Sequence, residues 1–155
     1  VRRFHNLFKT HLFKEPKDLI TETPKLSGLD GRKMSKSYNN SIYLDDDSET
    51  IWQKVRSAKT DTNRIKKTDP GNPEVCVVWE YHKLFSDKDT QKEIYENCKA
   101  GTIGCMQCKK MCAKNIDEFI TPIREKKATI SDNDIKEILA NGAKKARMIA
   151  KEKRS

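Results

Sequence analysis

Beyond Asp45 the chain is punctuated like a row of helices, and this limits its fold more than any other feature. Asp45-Asp46-Asp47-Ser48 can accept hydrogen bonds from the free amides of a helix start, and its charge suits that end of the dipole. The spacing predicts a helix from Glu49 to Ala58 with Ile51, Val55 and Ala58 on one face. A polar, basic loop follows, from Thr60 to Asn72, closed by Asp69-Pro70-Gly71-Asn72. Glu74 to Phe85 reads as the next helix, with Val75, Val78, Trp79, His82 and Phe85 inward. Ser86-Asp87 breaks it and caps a third, Lys88 to Lys99, with Ile94, Tyr95 and Cys98 inward. Gly101 then stands where a left-handed C-terminal residue is expected. A long helix from Gly104 presents Cys105, Cys108, Cys112, Ile116, Phe119, Ile120 and Ile123, and Pro122 is expected to kink or break it. Ser131-Asp132-Asn133-Asp134 caps a last helix. Its inner face is Ile135, Ile138, Leu139, Gly142, Ala143, Ala146 and Ala150, small enough for close packing against another helix. Four or five such helices make a bundle, so the fold is expected to be mainly α.

Ahead of Leu44 the chain is short-paced and rich in turns. Arg2 to Thr10 carries Phe4, Leu7 and Phe8 at helical spacing and reads as the end of a helix. Asp18 to Thr21 is a short strand or turn, Lys25 to Tyr38 a basic loop with glycines, and Ser41 to Leu44 a β-prone run. The change of character divides the chain into residues 1–45 and 46–155. The chain opens on Val1 rather than methionine, inside a segment that reads as ordered, which predicts a piece of a longer protein.

Lysine and arginine number 32 against 23 acids, a net charge of +9. The excess favours a polyanionic partner, nucleic acid first and an acidic membrane surface second. No apolar run is long enough for a membrane span, and Val1-Arg2-Arg3-Phe4 does not open a secretory signal, so a cytoplasmic protein is expected.

Chemistry is concentrated in Gly28-Leu29-Asp30-Gly31-Arg32-Lys33-Met34-Ser35-Lys36-Ser37. Two lysines three residues apart, set among small hydroxyl residues behind two glycines, suit a loop that grips phosphates. Glycine permits backbone bends closed to other residues, and lysine is a compact charge on a flexible stem. Ser35 and Ser37 add donors. Such a loop can stabilise charge building on a leaving pyrophosphate.

Cys76-x21-Cys98-x6-Cys105-x2-Cys108 is a second constellation. Its C-x2-C pair opens a helix, where the dipole favours thiolates, and Cys98 and Cys76 lie at the ends of neighbouring helices. Four thiolates at a helix junction suit tetrahedral zinc or a cubane iron–sulfur cluster, with Lys99, Lys109 and Lys110 to offset the charge. The alternative is a set of buried free thiols, the expected state of Cys112. Lys59, Arg64, Lys66 and Lys67 are candidate phosphate contacts, as are Lys144, Lys145, Arg147, Lys151, Lys153 and Arg154. Trp52 and Trp79 can stack on a base or serve as core, and His82 reads as a core histidine.

Lys33-Met34-Ser35-Lys36-Ser37 spells the KMSKS signature of class I aminoacyl-tRNA synthetases. The wider context resembles the bacterial-type tryptophanyl-tRNA synthetases in three more segments: Phe4-His5-Asn6 with Leu7-Phe8, Ser57-Ala58-Lys59-Thr60-Asp61, and Asn141-Gly142-Ala143-Lys144-Lys145-Ala146-Arg147. The family's other signature, HIGH, has no counterpart, since His5, His11 and His82 are scattered. The resemblance therefore implies a C-terminal portion: the end of a Rossmann α/β catalytic domain with its KMSKS loop in residues 1–45, then a helical anticodon-binding domain in 46–155 whose last helix can pack back on the catalytic domain. It implies an ATP-dependent ligase that joins tryptophan to its tRNA through tryptophanyl-adenylate. Lys33 and Lys36 would be catalytic, and Lys33, Met34, Ser35, Lys36 and Ser37 would bind ATP with its Mg2+. tRNA(Trp) would be the partner, and the full-length enzyme a homodimer. Some members carry a 4Fe-4S cluster on cysteines of very similar spacing, which favours that group over zinc at Cys76, Cys98, Cys105 and Cys108. The neighbouring readings are a fragment of a tyrosyl enzyme and a non-catalytic, metal-bearing, helical RNA-binding module.

Overall fold

The computed structural model describes residues 1–21 and 23–153. Six helices occur among them: α1 (Arg2–Phe8), α2 (Ser48–Ser57), α3 (Val77–Phe85), α4 (Lys88–Ala100), α5 (Cys105–Ala128) and α6 (Asp132–Glu152). The mainly helical expectation holds. The only strand pairing among the described residues is an isolated antiparallel bridge, Ser27 to Lys33. Asp18–Thr21 and Ser41–Leu44 form no strand; Leu19 is fully exposed and Ile20 largely so.

Caps set the helix starts where the sequence placed them. Asp47 accepts from the Thr50 amide, Asp87 from the Thr90 amide, and Ser131 and Asp134 close a reciprocal capping box. Gly101 ends α4 at φ 70, and an added Cβ there would strike the Thr68 carbonyl. Two boundaries differ from the expectation. Pro73 nucleates a separate 3-10 turn, Pro73–Val75, capped by Asn72, so α3 begins only after Cys76. That shift turns Val75 outward and brings Val77 and Tyr81 inward beside Val78 and His82. Pro122 does not end α5, which runs through it to Ala128.

The core forms where α5 lies along α2 and α3. Ile51 and Val55 of α2, Val78 and Tyr81 of α3, and Cys112, Ile116 and Ile120 of α5 meet there with Leu29 from the preceding loop. Burying such side chains stabilises by roughly 1.5–3 kcal/mol each. His82 is a satisfied core histidine: Nδ1 meets Ser86 Oγ at 2.7 Å and Nε2 the Cys108 carbonyl at 3.2 Å. Phe119 departs from the expected inner face and stands exposed, edge-on to Phe85.

Helix α6 departs further, because no residue of it is buried. The face of Ile135, Ile138 and Leu139 lies open, and an added Cβ on Gly142 would meet nothing within 4 Å. The small residues that implied close packing have no partner surface among the described residues. The N-terminal segment also leaves Leu7, Phe8, Leu12 and Phe13 exposed around a buried His5.

Candidate functional site

The segment from Ser27 to Asn40 is irregular yet densely tied. The Gly28 amide donates to the Arg32 carbonyl and the Gly31 amide to the Gly28 carbonyl, both at 2.8 Å, which makes a tight turn. Gly31 sits at φ 82, a left-handed conformation that explains the glycine. Asp30 accepts from the Arg32 amide and guanidinium and from Asn40 Nδ2. These bonds, that from Asn40 foremost, hold its carboxyl at about 2. Arg32 also lies over the Tyr38 ring at 4.4 Å.

Helix α3 grips the base of this turn. Glu80 accepts from the Ser27 amide at 3.2 Å and its hydroxyl at 3.3 Å, and Tyr81 Oη donates to the Ser27 carbonyl at 3.0 Å. Met34 packs against the helical core, so the signature is anchored on its apolar residue. Lys33, Lys36 and Ser37 are exposed beside half-buried Ser35, whose hydroxyl meets that of Ser37 at 2.8 Å. Lys36 opens a 3-10 turn through Tyr38 and lines a groove with Tyr43, Leu44 and Ile123.

The proposed phosphate contacts separate. Lys59 belongs with the loop: its amide donates to the Leu29 carbonyl at 2.7 Å. Arg64, Lys66 and Lys67 line a surface cleft of about 520 Å³ with Thr60, Gly104, Cys105 and Gln107, at the start of α5. Lys66 and Lys67 are exposed there. Arg64 is turned inward. Its Nη1 lies 3.9 Å from the sulfurs of both Cys98 and Cys105, and its Nη2 donates to the carbonyls of Lys67 and Ile103. Of the C-terminal basic run, Lys144, Lys145, Arg147, Lys151 and Lys153 lie on or beside exposed α6, while Arg154 falls outside the described residues.

Cys76, Cys98, Cys105 and Cys108 come from the start of α3, the end of α4 and the first turn of α5, the three-helix junction expected of them. The residues as placed do not fit a metal ion. No group of three or more His, Cys, Asp or Glu among the described residues is arranged to hold one. The Arg64 guanidinium bridges two of the sulfurs, and Cys108 Sγ lies 3.4 Å from His82 Nε2. Burial, more than any neighbour, raises the Cys76 and Cys98 thiols and pushes Cys108 up to about 12. Desolvation thus outweighs the helix dipole that was expected to favour a thiolate at Cys108. Of the lysines expected to balance a cluster, Lys99 lies over Tyr95 and Lys110 over Trp52, while Lys109 stays near enough to feel Cys105, Cys76 and Cys108 but donates to the Arg56 carbonyl. Sequence reasoning missed Arg64 as the thiols' cation, although its place in the basic loop was plain.

The sequence profile of the tRNA synthetases class I (W and Y) matches residues 1–121. The tryptophan–tRNA ligase of Aquifex aeolicus is 46% identical over 152 residues, which cover 96% of this chain and 38% of that protein. The tryptophan–tRNA ligase of Thermotoga maritima is 40% identical, covering 96% of this chain and 46% of that one. The crystal structure of tryptophanyl-tRNA synthetase from Campylobacter jejuni, complexed with ADP and tryptophan, superposes with a TM-score of 0.76 at 34% identity. It covers 84% of this chain and 41% of its own. The chain thus spans less than half the length of each of these relatives. With the profile match running from the first helix through most of α5, the chain belongs to the class I tRNA synthetases of the tryptophan and tyrosine group.

Proposed function

We propose that the chain serves as the C-terminal portion of an ATP-dependent tryptophan–tRNA ligase. In this reading residues 1–45 end the Rossmann catalytic domain and 46–155 form the anticodon-binding domain, against whose catalytic neighbour the open face of α6 packs. The observation that carries it is Lys33-Met34-Ser35-Lys36-Ser37, held on an ordered loop with both lysines exposed, in a chain 46% identical to a tryptophan–tRNA ligase. The tryptophan carboxylate attacks the α-phosphorus of ATP, and pyrophosphate leaves with the electron pair of the broken P–O bond. The terminal ribose hydroxyl of tRNA(Trp) then attacks the acyl carbon of the adenylate, and AMP leaves. Lys33 and Lys36 act in the first step, where negative charge grows on the leaving pyrophosphate; Mg2+ arriving with the triphosphate would supply further charge neutralisation there. Ser35 and Ser37 offer donors beside them, and Met34 and its backbone would pack near adenine, as the resemblance implies, while the Met34 side chain packs against the helical core.

The +9 charge and the cleft of Lys66 and Lys67 support tRNA phosphate contacts there, with Arg64 shaping the cleft and Lys59 beside the loop. Lysines meeting phosphates release counterions, so binding should weaken steeply with salt. The full-length enzyme is read as a cytoplasmic homodimer, as the resemblance implies; no helix of the described residues is long and apolar enough to cross a membrane. A 4Fe-4S cluster, or zinc, at the four thiols would have to form beside the Arg64 guanidinium, which lies 3.9 Å from the Cys98 and Cys105 sulfurs, and no step of the reaction runs through it. Metal and sulfide analysis of anaerobically purified protein tests that point. The ligase reading is tested by ATP–pyrophosphate exchange in the full-length protein with tryptophan and tyrosine in parallel. Exchange with tryptophan is expected. Exchange with tyrosine alone would move the chain to the tyrosyl enzyme, and none with either would leave an RNA-binding module.

A further inference from the structure

We propose that Asn40 is a positioning residue of the loop: its carboxamide brackets Met34 from behind and sets the shape in which Lys33 and Lys36 meet a triphosphate. This rests on the ligase reading above. Asn40 is 4% exposed. Its Oδ1 accepts from the Ser35 amide at 2.9 Å, and its Nδ2 donates to the Lys33 carbonyl at 3.1 Å and the Asp30 carboxylate at 2.8 Å. Its main-chain carbonyl accepts from the Leu29 amide at 2.8 Å. One buried side chain therefore ties the turn before the first lysine to the backbone between the two. Both lysines are left on the exposed side.

The chemistry calls for an amide in particular. One end must accept and the other donate, and aspartate would set an acceptor against the Lys33 carbonyl and the Asp30 carboxylate. An apolar residue would leave the buried ends of these bonds unmet, which destabilises the loop shape they fix. The loop also makes room for the carboxamide: a Cβ on Gly28 would lie 2.2 Å from Asn40 Nδ2. Gly28 is thus a cradle for Asn40. Its backbone has no positive φ that would otherwise explain the glycine. Lysine side chains are flexible, so their reach to a leaving pyrophosphate depends on the main chain that carries them. Fixing that main chain beforehand removes an ordering cost from the transition state.

Two substitutions perturb this arrangement by different routes. Asn40→Ala removes the carboxamide, whereas Gly28→Ala expels it sterically and leaves every hydrogen-bonding group in the chain. In the 155-residue chain, tryptic cleavage after Lys33 and Lys36 should accelerate about 10-fold or more in both, with cleavage within α5 unchanged, as expected for a local opening. In the full-length ligase, kcat for tryptophan-dependent exchange should fall on the order of 10²-fold, with KM for tryptophan within about 3-fold. The double variant should be no worse than either single one, because both abolish one interaction. Asn40→Asp should resemble Asn40→Ala. If Asn40→Ala fails to fold, Gly28→Ala decides the matter. Unchanged cleavage in the variants overturns the proposal, as does faster cleavage with unaltered kcat, or strictly additive effects of the two substitutions. A wild-type enzyme that exchanges no pyrophosphate refutes the ligase reading and the positioning role with it, while the cleavage arm still decides whether Asn40 orders the loop.

Discussion

Helix α6 is 21 residues of regular backbone with a reciprocal capping box, and it buries none of them. The loop from Ser27 to Asn40 has one bridge and one 3-10 turn, yet it buries Gly28, Leu29 and Asn40 and pins its carboxylate, amide and serine groups in specific bonds. Regularity reports the local choice of the backbone. Definition comes from what covers or cross-links it. A periodic sequence announces the first and says nothing of the second, since an apolar stripe looks the same on a covered helix and an open one. A polar ring is invisible to periodicity because its members lie at irregular intervals.

The largest effect that sharpens this contrast is in the core. Ile116→Ala should cost about 2–5 kcal/mol in denaturant unfolding of the chain, because Ile116 is 1% exposed between α5 and its neighbours. Ile138→Ala on α6 should stay within about 0.5 kcal/mol, as for a surface site. Equal costs would mean that α6 is covered in solution, and the contrast would collapse. A smaller effect separates the two kinds of cap. Asp47→Ala should lower global stability by about 1 kcal/mol, since α2 is part of the core. Ser131→Ala should fray α6 and speed amide exchange there while leaving the unfolding midpoint of the core in place.

The smallest effects are slopes with pH. Burial lowers the His82 pKa from its ordinary 6.5, so the unfolded chain takes up a proton that the folded one refuses. Its contribution is fully present above pH 6.5 and declines as pH falls below that value, and His82→Gln should flatten the slope. Asp30 titrates the other region: its carboxyl, held at about 2 rather than 3.8, supports the loop above pH 3.8 and is lost as pH falls through 2. Rapid tryptic-site exposure cannot be read at such acidity, so amide exchange of Gly31 and Arg32 is the measurement. Protection that persists unchanged below pH 2 would remove Asp30 from the account.

What was legible in the sequence follows the same division. The caps at Asp47, Asp87 and Ser131 and the glycine at 101 were readable because each is a local bond between neighbours. The start of α3 was misplaced because Pro73 and Asn72 build a turn of their own, a choice that helical spacing does not reveal. KMSKS was legible as a string, with its two lysines, but the groups that hold it were not. Glu80 and Tyr81 lie 53 and 54 residues from Ser27 in the chain, and only the packing of α3 brings them there. The cysteines were legible as a junction of three helices, whereas Arg64 between Cys98 and Cys105 was not, since in sequence it is one basic residue among several.

In the proposed reaction the loop presents Lys36 to charge that develops only as pyrophosphate leaves. Steady-state ATP–pyrophosphate exchange by full-length Lys36→Ala, with tryptophan as the amino acid, tests it most directly. The expected outcome is a fall in kcat of about 10²–10³-fold with KM for tryptophan within about 3-fold of the parent enzyme. A defect confined to KM, with kcat intact, would contradict it.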